Sequence, residues 1–329
     1  MTYASGWPVI PRQLLKRERW PGGYQVKGIP LVYHGQEVVP DQPVLRLASL
    51  QHFKEEEKRL LAHSSSPILP AAAVASFPPQ NIPAGLHGRV VGFTARGGVV
   101  IESHAAFLQG VLGAGNQVAG ILTIWQAPDR YNTTRAIPPG AILVVPGPLT
   151  LRLLHQALAS GVVGVIASSI ALRDLEGFLR ADYLQLLKTS NPELAQSQLP
   201  PLTILLTEGI GSVIMPPRTL NLLHHYQGSI GLLSGITLLS HHIYPELVIS
   251  IPLVEIEKGW RAMIPDTTLA LGSLVRVAAG ECLGLVGRID YFFVYEQTFA
   301  SNLRARAVRL RAVDGSFYVI PLANIERIG

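Results

Sequence analysis

Three apolar runs, Ala141-Ile-Leu-Val-Val145, Val162-Val-Gly-Val-Ile-Ala167 and Leu202-Thr-Ile-Leu-Leu-Thr207, decide the fold class. Each is continuously apolar or nearly so, as expected of a strand covered on both faces. Helical signals lie between them. Pro146-Gly-Pro148 breaks the first run, Thr150 can cap a helix over 151–160, and Gly161 ends it. Ser168-Ser169 lead into a second helix over 172–180, and Pro200-Pro201 introduce the third strand. Glu208-Gly-Ile-Gly211 reads as a loop before a third helix that begins near Pro216-Pro217 and runs to Tyr226. Strand and helix alternate three times, which predicts parallel α/β units. Two further strands are expected over 230–239 and 247–254.

Upstream, residues 1–80 read as an extended arm, strands and a linker. Lys54-Glu-Glu-Glu-Lys-Arg59 marks a short exposed helix over 50–62, its charges a solvated face. The Ser-, Pro- and Ala-rich stretch 63–80 is linker. Residues 81–135 are β-rich, with a hairpin of Gly88–Phe93 and Val99 onward turning at Arg96-Gly-Gly98. Gly110, Gly113, Gly115 and Gly120 recur between short apolar segments. With residues 24–47, which include Gly35-Gln-Glu-Val-Val-Pro-Asp-Gln-Pro-Val44, this pattern resembles the barrel-sandwich hybrid of lipoyl- and biotinyl-type domains. Those domains carry their cofactor on a lysine at a hairpin tip. No lysine stands there in this chain, so no cofactor is expected.

Downstream, Gly272-Ser-Leu-Val-Arg-Val-Ala-Ala-Gly280-Glu-Cys-Leu-Gly284-Leu-Val-Gly287-Arg-Ile289 alternates Val275 and Val277 as on a half-buried strand. Gly280 permits a turn, and Gly284 and Gly287 have the spacing of a second turn and a bulge. This segment resembles the KOW motif of the SH3-like barrels in NusG-type elongation factors and some large-subunit ribosomal proteins. The resemblance covers residues 271–329 and implies a barrel over 265–329 that docks RNA, ribosome or RNA polymerase, or another protein. Asp314-Gly315 suit a two-residue hairpin turn with positive φ. Arg304 and Arg306 fall on one strand face and Arg309 and Arg311 on the other, so a bulge or bend is expected near Ala307-Val308.

Composition narrows the classes. At 329 residues, two or three domains are expected. Hydrophobic residues make up 48% and charged residues 15%, which excludes a disordered chain. No apolar run approaches the roughly eighteen residues of a membrane helix. The N-terminal residues lack a secretory pattern, and a lone Cys282 excludes an internal disulfide and any multi-cysteine zinc site. A cytoplasmic protein is expected. The net charge of +5, carried mostly by arginine, permits nucleic acid as a partner.

The fold class expected is therefore α/β and multi-domain: an N-terminal β-rich hybrid-like part, an α/β unit over 136–256 and a C-terminal barrel. Three functional readings stand, of which one, a structural subunit, rests on low charge and broad apolar surfaces and names no residues. In the first, the chain is a non-enzymatic binding or adaptor protein associated with transcription or translation. Arg276, Arg288, Arg304, Arg306, Arg309 and Arg311 would meet phosphates, and Tyr291 and Phe293 would offer stacking platforms. In the second, a small ligand binds, or a reaction occurs, at the strand-end loops, through Gly147, Ser168, Ser169, Glu208, Gly209 and Gly211. No Gly-x-Ser-x-Gly elbow is present. The pairs His224-His225 and His241-His242 point to different faces, so no metal site is expected.

Overall fold

The computed structural model describes residues 9–20, 26–49, 80–125, 137–189, 191, 199–238, 243–257, 261–262, 268–282 and 284–327. The fold is mostly β, with few helices. The first strands are β1 (Val9–Arg19), β2 (Val26–Pro30), β3 (Glu37–Val38), β4 (Pro43–Ser49) and β5 (Gln80–Pro83). The helix expected at 50–62 and the linker up to residue 79 lie outside the described residues. Next come β6 (Gly88–Phe93), β7 (Val99–Gln109), β8 (Leu112–Ala114), β9 (Gln117–Ile124) and β10 (Ala141–Val145). The helices α1 (Leu151–Ala159), α2 (Leu172–Leu179), α3 (Tyr183–Lys188) and α4 (Pro217–His225) alternate with β11 (Gly164–Ile170), β12 (Thr203–Ile210) and β13 (Ile230–Ser234). The strand β14 (Glu246–Ser250) and a short helix α5 (Leu253–Glu257) follow.

Eleven of these strands form one mixed sheet in the order β3-β6-β7-β14-β13-β9-β10-β11-β12-β8, with β1 also paired to β7. The three continuous apolar runs are parallel neighbours, as expected, and β9 extends the parallel block beside β10. Every residue of β10 and β11 is buried. One face of this block packs Leu154 and Ala157 of α1, Phe178 and Leu179 of α2 and Tyr183 of α3. The other face places Ile142, Val144, Ile166 and Leu205 against Leu222 and Leu223 of α4. The Thr150 hydroxyl caps α1 by accepting the Leu153 N–H at 3.3 Å. The short helix α3, which the sequence reading passes over, starts at Asp182 and buries Tyr183, whose hydroxyl donates to the Gly113 carbonyl at 2.9 Å. Burial pushes the Tyr183 hydroxyl up to about 12.

Three expectations change. Residues 81–135 and 136–256 do not form separate sheets, because β13 and β14 return between β9 and β7 and join both segments. The strand expected over 247–254 stops at Ser250, and Pro252, which has no N–H for the ladder, precedes α5. Glu208-Gly209-Ile210 continue β12 instead of forming a loop, since Gly209 sits at φ +84° and permits the local irregularity.

At the N-terminal end, β2, β4 and β5 form a separate three-stranded sheet over a core that includes Val38, Val44, Leu45, Leu86 and Val90. Its backbone meets the β6–β7 turn where the Gly28 N–H donates to the Arg96 carbonyl at 2.9 Å. A β-carbon on Gly97 would lie 2.0 Å from the Gly28 carbonyl oxygen, so only glycine allows that crossing. Arg19, 3% exposed, donates to the Pro83 carbonyl and to Gln117 Oε1, and burial pushes its guanidinium down to about 9.

The C-terminal residues form a five-stranded antiparallel sheet from β15 (Leu274–Val277), β16 (Val286–Phe292), β19 (Ala307–Ala312), β20 (Phe317–Pro321) and β21 (Ile325–Arg327). A small pair, β17 (Gln297–Thr298) and β18 (Arg304–Ala305), stands beside it. The five strands run in the order β20-β19-β16-β15-β21 and enclose a core of Val275, Val277, Ile289, Val308, Leu310 and Ile320. Gly287 is not a bulge. It lies inside β16, and the register shift falls later, between Ile289 and Tyr291. The slip in arginine phase appears as a break at Arg306, between β18 and β19. The hairpin after β19 needs positive φ only at Gly315, so Asp314 is not part of a two-residue mirror-image turn. Instead the Asp314 carboxylate accepts the Ser316 N–H at 2.9 Å.

Gly284 and Gly287 are constrained for different reasons. Gly284 adopts φ +85°, and a β-carbon on Gly287 would lie 2.8 Å from the Arg311 carbonyl oxygen. Gly284→Val and Gly287→Val should each destabilise the protein by about 1 kcal/mol or more. Thermal unfolding of the two variants checks this, and unchanged midpoints would show that neither glycine is required.

Candidate functional site

Parallel pairing brings 146–148, 168–169 and 208–211 to one edge of the main sheet. These segments are already bonded to one another. The Leu149 N–H donates to the Ser169 carbonyl at 2.7 Å, the Gly211 N–H to Ile170 at 2.9 Å and the Met215 N–H to Pro146 at 3.1 Å. The Gly211 amide is therefore engaged and is not offered to a ligand. Ser169 Oγ accepts the Val213 N–H and donates to the Val213 carbonyl, both at 2.9 Å, which clamps the 211–213 turn onto β11. Gly209 packs against Val111, whereas a β-carbon on Gly147 would meet nothing within 4 Å. Ser168 is fully buried, and its hydroxyl has no hydrogen-bond partner among the described residues.

The ladder between β11 and β12 shifts register between Ala167 and Ser169, so Thr207 and Glu208 together stand opposite Ser168. A bulge of this kind re-aims side chains. Here the Glu208 carboxylate meets Arg276 from β15: Nη1 donates to Oε1 at 2.5 Å and to Oε2 at 2.7 Å. Arg276 Nε donates to Glu326 Oε1 at 2.5 Å, and Nη2 pairs with the same carboxylate. Arg276 and Glu326 are direct cross-strand partners in β15 and β21. Arg276 is 5% exposed, so it is removed from the residues expected to meet phosphate. Burial pushes the Glu208 carboxyl up to about 7; the Arg276 charge opposes the rise and the Glu326 charge adds to it.

No family model, curated protein or solved structure matches this chain. Among the described residues no group of three or more His, Cys, Asp or Glu side chains is placed to hold a metal. His225 pairs with Glu255 at 3.5 Å, and His241-His242 lie outside the described residues. Cys282 is a free thiol packed against the C-terminal core.

The outer face of the C-terminal sheet collects most of the remaining predicted residues. Val319, Arg309 and Tyr291 form one cross-strand row, and Phe317, Arg311 and Arg288 form the next. All six are exposed. The register shift at Asp290 matters here, since without it Tyr291 would face away from Arg288. Arg309 lies over the rings of both Tyr291, at 5.7 Å, and Phe317, at 5.0 Å. Its guanidinium is oriented by Asp290, with Nε donating to Oδ2 at 2.7 Å. Phe293 is half-buried and stands edge-on to Tyr291, with ring centroids 5.2 Å apart. Arg304 and Arg306 are exposed but stand off these rows, in β18 and at the break before β19. Phe317 is the member that the sequence reading missed. Counting by twos from buried Ile320 would have placed Phe317 and Val319 outward.

The carboxyl of Glu208 should titrate with an apparent midpoint near 7 by carbon-13 NMR. Glu326→Gln removes the neighbouring negative charge, so the midpoint should move down. The sign of the stability effect follows. The folded state holds this proton more tightly than a free glutamate does, so the contribution is full below the ordinary value of 4.5 and is lost as pH rises through about 7.

Proposed function

We propose that this chain is a non-enzymatic binding or adaptor protein whose C-terminal unit, a KOW-type SH3-like barrel, holds RNA on its exposed basic and aromatic face. The observation that carries the reading is Arg309 set between Tyr291 and Phe317, with Arg288 and Arg311 on the same face. Exposed rings give bases a surface to stack on, and guanidinium groups give phosphates charge. The strand order β20-β19-β16-β15-β21, with a 3-10 turn Leu322–Asn324 before the last strand, supports the barrel reading. The central parallel strands with α1 and α2 support an α/β unit within the larger sheet. Association with the ribosome or RNA polymerase, and a cytoplasmic location, belong to the same reading. No helix among the described residues is long and apolar enough to cross a membrane. The N-terminal β-rich part is read as hybrid-like scaffold, without a cofactor.

A second reading, a small-ligand site at the strand ends, is favoured by one observation: the buried, unpartnered hydroxyl of Ser168 beside Thr207 and Glu208. The engaged Gly211 amide and the neutralising pair at Glu208 weigh against an anion there.

Binding of a fluorescent 12-nucleotide RNA should weaken steeply with salt, because each neutralised phosphate releases counterions. Arg288→Ala/Arg311→Ala should lower the slope of log K against log salt by about one to two. Tyr291→Ala/Phe317→Ala should cost about 1–3 kcal/mol per stacked base and leave the slope nearly unchanged. Arg304→Ala/Arg306→Ala should change it less. Absence of binding to RNA and DNA at low salt would assign the face to protein docking.

A further inference from the structure

Arg276 of the C-terminal unit pairs with Glu208 of the body of the protein, and Gly284 approaches Val213, where a β-carbon would lie 3.6 Å from Cγ1. Val213 is the residue that Ser169 clamps, so the turn that receives the C-terminal unit is itself fixed to β11.

We propose that Glu208, Arg276 and Glu326 form a proton-dependent latch, which holds the C-terminal unit against the strand ends of the main sheet and releases it when the cluster loses its proton. The inference is independent of whether the sheet face binds RNA. A structural ion pair needs one carboxylate for one guanidinium. This cluster has two, and the side chains of Glu208 and Arg276 are each only 6% exposed. With both carboxylates ionised, the buried cluster carries a net negative charge, which is costly in a poorly solvated site. With one proton it is neutral. The groups facing Glu208 are Arg276 from β15, Glu326 from β21, Thr207 from its own strand and, across the ladder, Ser168 from β11. Thr207 and Ser168 carry no charge. Arg276 is a member of two units at once, being paired within its own sheet to Glu326 and across the junction to Glu208. Separation returns Glu208 to water and leaves Arg276 its pair with Glu326, so the open form keeps a one-to-one ion pair.

The sign is fixed by the direction of the shift. The docked form binds the proton more tightly than the open form, so docking is favoured at low pH and weakens as pH rises through about 7. Between pH 5 and 8 the docking equilibrium should fall on the order of fiftyfold.

Hydroxyl-radical footprinting of the full-length protein tests the latch, because the amides of 274–277 stay bonded within their own sheet and undocking uncovers side chains at the junction. Side-chain protection over 207–213 and 274–277 should fall severalfold between pH 5 and 8. Protection in β10 and β19 should stay constant. Glu208→Gln should remain docked with no pH dependence, and Glu326→Gln should show a much smaller one. The latch is overturned by flat protection in the wild-type protein, or by an unchanged pH dependence in Glu208→Gln. Parallel loss of protection in β10 and β19 would also overturn it, because the two parts would then open as one.

Discussion

A guanidinium taken out of water must find oxygen atoms on nearly every side, and Arg276 meets that demand with carboxylates from both halves of the molecule. Glu326 lies beside it in the same antiparallel ladder, and Glu208 reaches it from the end of a parallel strand. The position of the C-terminal sheet follows from this one buried cation. So does the closing of the edge where α/β sheets most often bind ligands, and the burial that comes with it raises the Glu208 carboxyl although the cation opposes the rise. The same residue that charge alone would assign to a nucleic-acid surface is the one that assembles the protein.

With Arg276 committed to the junction, the basic character of the C-terminal unit is expressed farther across the same face of its sheet, on β16 and β19. The bulge at Asp290 aligns Tyr291 with Arg309, and the same residue supplies the carboxylate that orients Arg309 between two rings. One irregular position therefore provides both the geometry and the electrostatics of the face. The inner side of the same strands, with Ile289, Val308, Leu310 and Ile320, closes the core that holds the rings in place.

Much of this was legible in local pattern. The parallel block was readable because strands covered on both faces are apolar at successive positions, and Thr150, Gly161 and Pro217 marked the helix ends. The slip in phase between Arg306 and Arg309 announced the break before β19. What local pattern does not carry is pairing across long separations. Nothing in residues 230–250 says that they lie between β7 and β9, and nothing in Glu208 names a partner 68 positions away. The two glycines after Glu208 look like a loop until the bulge opposite Ser168 is seen to need one of them. The outward orientation of Phe317 is set by the hairpin after β19, in which Gly315 takes positive φ and Asp314 does not.

The insertion of β13 and β14 into the middle of the main sheet has a consequence for biosynthesis. A ribosome delivers β7 and β9 more than a hundred residues before the hairpin that separates them, so both strands wait with an unpaired edge. Apolar strands held open in this way pair readily with the wrong neighbour, and sheets closed by distant segments fold slowly. The nascent chain thus passes through an interval of exposure that ends only when residue 250, about three-quarters of the way along the chain, has emerged.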